Sequence, residues 1–235
     1  SSAAASEEST LARLQTGFAQ FIGTKAYHNF SPELQGYNRK ALRHIDVCAP
    51  SIWRDPDHSH ANAAETMVVV NIHGDSFLLN QIRRMVGFVV EACRRLPEND
   101  DVSVVGATVA SALNPDVVAS QSPTAPSEGL YLDSIDFSTN EAVTAGSMWS
   151  QPVSFDERDA PAIFAAKSDF ANRVIRPTIA RLVGPAFEDW VRGRDKVTFP
   201  QFRFMGRSAT RLFDEAVADA ESFLEGVRVR ALAMP

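Results

Sequence analysis

Between residues 66 and 96 the chain changes its hydrophobic period once, and that change constrains the rest. Residues 66–72 (TMVVVNI) are dominated by β-branched side chains and predict a strand. Gly74, Asp75 and Ser76 supply a turn and a choice of N-cap oxygen, and from there to Leu96 apolar residues recur at helical spacing. Leu78, Ile82, Met85, Val86, Val89, Cys93 and Leu96 share one side, while Asn80, Arg83, Arg84, Gly87, Glu91, Arg94 and Arg95 share the other. The expectation is a strand, a turn and an amphipathic helix with one face in the core and a strongly basic outer face.

Two residues of that outer face say more than solubility requires. Gly87 stands in mid-helix, where glycine costs roughly 1 kcal/mol relative to alanine, so close approach by another backbone or by a nucleotide is expected there. Arg83 lies one turn earlier on the same side, and its rigid fork of donors fits a carboxylate or a phosphate at two points. Spacing alone leaves a second reading open, a solvated face on which Glu91 pairs with Arg95 at i+4.

Around this unit, residues 1–10 are small and polar and predict a frayed start, and residues 11–22 (LARLQTGFAQFI) predict a helix stopped by Gly23. The stretch 23–34 (GTKAYHNFSPEL) fits neither period and reads as an ordered loop; its lysine, aromatics, histidine and asparagine suit either stacking on a base or packing on the core. Residues 41–49 predict a strand that pairs with 66–72 across a polar connection, 51–65. His58 and His60 in that connection have no third ligand in view and predict no metal site. A weaker helix follows at 102–114, a loop at 114–128 and a strand at 129–137. The order predicts an α+β fold, an antiparallel sheet with helices packed on one face. Asp159 and Pro161 open a later helix that Pro177 is expected to break or kink, and residues 208–229 predict another, so 141–235 reads as a mostly helical extension of an α+β domain spanning 11–140.

The totals exclude some functions. A net charge of -6 and a pI near 5.4 exclude a protein coated in positive charge for nonspecific nucleic-acid binding, while leaving room for a local basic cleft. Cys48 and Cys93 fit no metal spacing and point to a reducing, intracellular compartment. No apolar run reaches the roughly 20 residues a membrane span needs, so no membrane partner is expected. The chain opens on Ser1 without a methionine, as expected of a processed product or a fragment.

Three stretches in this order, TKAYHNFS at 24–31, GDSFLLNQIRRMVG at 74–87 and APSEGLYLDSIDF at 125–137, resemble the second half of the tRNA pseudouridine synthases of the TruA type, in its eukaryotic nuclear and mitochondrial branch. The helix motif is the most specific of them, and VIRPTI at 174–179 adds a shorter likeness. Together they cover roughly residues 10 to 180, with no likeness in the last fifty residues or so.

The resemblance implies the C-terminal half of the pseudouridine synthase fold. It also implies isomerisation of uridine to pseudouridine in tRNA, with no cofactor and no metal. An aspartate nucleophile would act on a uridine turned out of its stack, and Arg83 stands where the family's aspartate-pairing arginine stands. It also suggests Tyr27, Phe30 and Leu130 for the apolar walls, Lys25, Arg84, Arg94 and Arg95 for phosphates, and His28, Asn29 and Asn80 for RNA edges. The family's Arg-Thr-Asp nucleophile sequence has no match here, and Asp75 has the context of a turn. The nucleophile is therefore expected in an N-terminal half of the same enzyme, and this fragment is expected to be inactive alone. Nucleus or mitochondrion, and either a monomer or a dimer, are compatible with the likeness. The alternatives are a non-catalytic RNA-binding domain of the same fold and a structural domain whose basic helix meets an acidic protein.

Overall fold

The computed structural model describes residues 2–32, 34, 38–55, 66–95, 101–119, 122–135, 161–182, 187, 189–190, 192–193 and 202–204. They fall into two compact units, one drawn from Ser1–Trp53, Thr66–Ser127 and Gly184–Glu221, the other from Arg54–Glu65, Glu128–Val183 and Ser222–Pro235.

The first unit is an α+β layer, as the order of periods predicts. Helix α1 (Ser2–Ala19) begins far earlier than Leu11, so the expected frayed start is helical; its alanines and glutamates favour a helix that Leu14 and Phe18 anchor in the core at the other end. Strand β1 (Gly23–Ala26) leads through a short 3-10 turn (His28–Phe30) and a second (Arg39–Ala41) into β2 (Leu42–Arg54) and then β3 (Thr66–Gly74). The sheet order is β1-β2-β3. β1 runs antiparallel to β2, with Thr24 opposite His44 and Ala26 opposite Leu42. β2 and β3 are antiparallel as well: near one end the Asp75 N–H donates to the His44 carbonyl (3.3 Å), and near the other the Ser51 hydroxyl donates to that of Val69 (3.4 Å). β2 outruns its expected end at Ala49 and takes in the start of the connection; His58 and His60 lie outside the described residues.

Helix α2 (Gln81–Arg95) starts five residues after Ser76, which corrects the expected cap. Residues 75–80 form a turn, and the side chain of Gln81 reaches back to it, its Oε1 accepting from the Leu78 N–H at 2.8 Å. Helix α3 (Ser103–Leu113) forms as expected, with Asp101 Oδ1 accepting from the Ser103 N–H (2.9 Å). β4 (Val117–Ala119) pairs antiparallel with β5 (Phe202–Phe204).

The three helices pack on one another and on one face of the sheet. Ile45 and Cys48 from β2 and Val70 and Ile72 from β3 meet Leu14, Phe18, Met85, Phe88, Val89 and Val109. An aromatic cluster lies within this core: Phe21 meets Phe30 edge-on at 5.3 Å, Phe30 meets Phe88 at 5.5 Å, and the Tyr27 hydroxyl donates to the Phe21 carbonyl at 2.7 Å. Each such ring stabilises the fold by about 1.5–3 kcal/mol through burial. Burial also holds the Tyr27 hydroxyl above its ordinary pKa and pushes the Cys48 thiol up to about 12.

In the second unit, residue 129 lies in a turn and residues 130–135 form no strand, which corrects the strand expected at 129–137 over its described part; Phe137 lies outside the described residues. Alternation of apolar residues prescribes an extended chain, but a strand also needs a partner ladder, and Leu130, Leu132 and Ile135 stay exposed. Helix α4 (Pro161–Phe170) opens at Pro161 as expected. Pro177 does not end the helix: a π-helical turn, Ala171–Ile175, precedes it and carries the chain into α5 (Arg176–Leu182). Widening the turn accommodates a proline ring that would otherwise press on the carbonyl of residue i−4. Among the described residues no helix is long and apolar enough to cross a membrane.

Candidate functional site

Parts of the stretches that carry the resemblance converge on α2: Phe30 of the first packs on Phe88, and Ala125, which opens the third, bonds to Arg83 of the second. Arg83 is held there from two sides. Its Nε donates to the Ala125 carbonyl at 2.7 Å, its Nη1 lies 3.5 Å from Asn80 Oδ1, and its own carbonyl accepts the Ala125 N–H at 2.9 Å. The strap at 122–126 therefore lies along the helix, and Gly87 allows it to do so: a Cβ on Gly87 would stand 2.6 Å from the Pro123 carbonyl oxygen and 2.9 Å from the Ala125 nitrogen. The glycine expected to admit another backbone admits this one.

The strap's other side is tied down by Asn29 and its neighbours. Asn29 Nδ2 donates to the Ala112 and Val117 carbonyls, both at 2.8 Å, and Asn29 Oδ1 accepts from the Ala119 N–H, also at 2.8 Å. The Ser122 hydroxyl donates to the Asn29 carbonyl. His28 Nε2 donates to the Val117 carbonyl at 2.7 Å, which leaves the lone pair on Nδ1, and burial lowers the His28 pKa despite that hydrogen bond. Buried polar groups are stable only when paired in this way.

The candidate residues divide accordingly. Tyr27 and Phe30, expected as walls for a base, are wholly buried and pack the core; of the residues expected at RNA edges, Asn29 spends its side-chain polar atoms on the chain itself and His28 its Nε2, while His28 Nδ1 is buried with no hydrogen-bond partner among the described residues. Asn80 is exposed, with φ 58°, and touches Arg83. Arg84 is half-buried; its Nε has no hydrogen-bond partner among the described residues, and burial lowers its pKa. Lys25 is half-buried on β1 opposite Arg43. Arg94 pairs with Glu91 at 3.2 Å, donates to the Trp190 carbonyl and lies 5.3 Å from the centre of the Trp190 ring; Arg95 also pairs with Glu91. That end of the basic face is occupied within the chain, and Glu91 is buried rather than solvated. Leu130 is exposed and belongs to the second unit.

Two features escaped the sequence reading. Gln81 is fully buried although its side chain is polar, and residues 122–126 work as a strap although they read as a loop. The signal for the strap was Gly87, which marked a close approach without naming its occupant.

Chemically, Arg83 is a guanidinium held through Nε and Nη1, and among the described residues no hydrogen bond engages its Nη2. A model of the family described as tRNA pseudouridine synthase matches residues 18–138, just over half of the chain. The chain belongs to the tRNA pseudouridine synthase family. The tRNA pseudouridine(27/28) synthase of Saccharomyces cerevisiae (strain ATCC 204508 / S288c) is 35% identical to it over 92 residues, 39% of this chain and 22% of that protein. The chain thus matches about a fifth of the length of this relative. The pseudouridine synthase match takes in Asn29, Arg83, Gly87 and the strap, so the converging stretches all lie within it.

Proposed function

We propose that this chain is part of an enzyme that isomerises uridine to pseudouridine in tRNA, and that it supplies the C-terminal wall of the cleft. The nucleophilic aspartate comes from an N-terminal half of the same enzyme. The observation that carries the proposal is the anchoring of Arg83, held by Ala125 and Asn80, with Nη2 engaged by none of the described residues and so available to a carboxylate.

A carboxylate in a cleft emptied of water must remain ionised to attack the ribose, and a bidentate arginine both lowers its pKa and fixes its direction. A carboxylate oxygen bonds to C1′ as the bond between C1′ and N1 of the uracil breaks, the base turns, and C5 bonds to C1′ as the carboxylate leaves it. The proton leaves C5 and N1 ends protonated, so the reaction is an isomerisation without cofactor. Arg84, half-buried and with no partner for its Nε among the described residues, is suited through its outer nitrogens to a backbone phosphate, and Lys25 and Asn80 to the RNA beside it. Tyr27, His28, Asn29 and Phe30 serve by building the wall.

The test is tritium release from tRNA labelled at C5 of uracil, using the full-length protein, this chain alone and full-length Arg83→Ala. Release by the full-length protein only, lost in the mutant, is the expected outcome. Release by this chain alone would refute the division of the site between two halves. Binding of tRNA without release from any sample would favour a non-catalytic RNA-binding domain, the reading prompted by the lack of a nucleophile motif in this chain.

A further inference from the structure

The turn between β3 and α2 is built with more effort than a connection needs. Asn80 is the one non-glycine residue with positive φ among the described residues, at 58°. The conformation is fastened on both sides. Asn80 Oδ1 meets Arg83, the Asn80 carbonyl accepts from the Arg84 N–H at 2.9 Å, and Gln81, with no exposed surface, holds the Leu78 N–H at 2.8 Å. Among the described residues the amide nitrogen of this buried Gln81 has only the Met85 sulfur for a partner, at 3.8 Å. A strained backbone and a poorly satisfied buried amide both cost stability, and such costs gather where geometry serves a function.

What this geometry does is push apolar side chains outward. Leu78 turns in and packs against the core, while Phe77 and Leu79 on either side of it are exposed, Leu79 to 67%. They stand a few residues before Arg83, on a turn rigidly coupled to it. Leucine and phenylalanine are side chains that proteins insert between bases, and turning a nucleotide out of its stack costs a few kcal/mol that such contacts offset.

We propose that Leu79, supported by Phe77, is an apolar wedge against the bases that flank the target uridine, and that Asn80 is a positioning residue that aims it. This rests on the reading of the chain as part of an RNA isomerase. A wedge has a specific consequence: it assists substrates whose uridine must be unstacked and does little for those already open.

The experiment compares kcat/KM of the full-length protein on the same uridine placed in a paired stem and in an unpaired oligonucleotide. Leu79→Ala is expected to lower the paired-to-unpaired ratio about tenfold, the equivalent of about 1.4 kcal/mol, with Tm unchanged and with the ratio restored in Leu79→Met. Asn80→Gly, which adopts positive φ freely, is expected to keep most of the ratio, and Asn80→Val to lose it. An unchanged ratio in Leu79→Ala with an active wild type would overturn the wedge and leave the proposed function standing. A lower Tm with an unchanged ratio would also overturn it, by showing that Leu79 packs on another part of the protein. A wild type inactive on both substrates would overturn the wedge and the proposed function together.

Discussion

Gly87→Ala tests whether the strap organises the site. In an open mid-helix position the change would stabilise α2 by up to about 1 kcal/mol, because alanine loses less backbone entropy than glycine. Here the added methyl would stand 2.6 Å from the Pro123 oxygen and 2.9 Å from both the Pro123 carbonyl carbon and the Ala125 nitrogen. All three are backbone atoms, which cannot rotate away, so the strap must lift. Overpacking of this kind costs about 1–3 kcal/mol. Lifting also stretches the two hydrogen bonds between Ala125 and Arg83, each contributing about 0.5–1.5 kcal/mol. The net expectation is a loss of about 2–3 kcal/mol, seen by far-UV circular dichroism in urea as a fall of roughly 1 M in the midpoint at unchanged slope. Gly106→Ala is the control: its methyl would meet the side chains of Thr16 and Gln20 at 3.1 and 3.3 Å, which can yield, so a change below about 1 kcal/mol is expected. A Gly87→Ala midpoint equal to or above wild type would refute the reasoning, since it would mean that the strap does not lie on the helix.

Three further outcomes follow from the same contacts. Asn29→Ala removes three side-chain hydrogen bonds that join the His28–Phe30 turn to residues 112–119, and unfolding in urea is expected to show a loss of about 2–4 kcal/mol. His28 has its folded pKa lowered by burial, so its contribution to stability is complete above the ordinary value of 6.5 and is lost as pH falls through 6.5 toward the lowered value; His28→Asn is expected to flatten that part of the stability-pH curve relative to wild type. Cys48, its pKa pushed up to about 12 by burial, is expected to resist iodoacetamide at pH 7 until urea unfolds the chain, and rapid labelling of the folded protein would count against its place in the core.

What the sequence made legible was what local physics dictates. The switch of period at residues 66–96 gave β3 and α2, and a glycine with no helical rationale gave the close approach at Gly87. The start of α2 was not legible, because Asp75 and Ser76 are good caps by composition while the turn that forms depends on a buried Gln81 and a left-handed Asn80, both fixed by tertiary contacts. The loop 23–34 shows the same limit more sharply. Tyr27, His28, Asn29 and Phe30 are residues that could serve a base or a core, and sequence carries no term for which; burial and the partners at 112–122 put them to packing. Arg94 and Arg95 belong to the basic face by spacing but are taken up by Glu91, and Arg94 also by Trp190, about a hundred residues away. Among the described residues, the turn that leads to Arg83 exposes Asp75, Ser76, Phe77, Leu79 and Asn80, of which Phe77 and Leu79 are apolar. A basic helix face predicts affinity for any polyanion, whereas an anchored arginine beside an exposed apolar turn discriminates. In the proposed roles the arginine would fit a carboxylate or phosphate at a fixed angle, and the turn would reward a nucleotide that has left its stack. Under the proposed function, specificity for a turned-out uridine would reside in the junction between residues 75 and 83, while Arg94 and Arg95, taken up by Glu91, contribute mainly to the stability of α2.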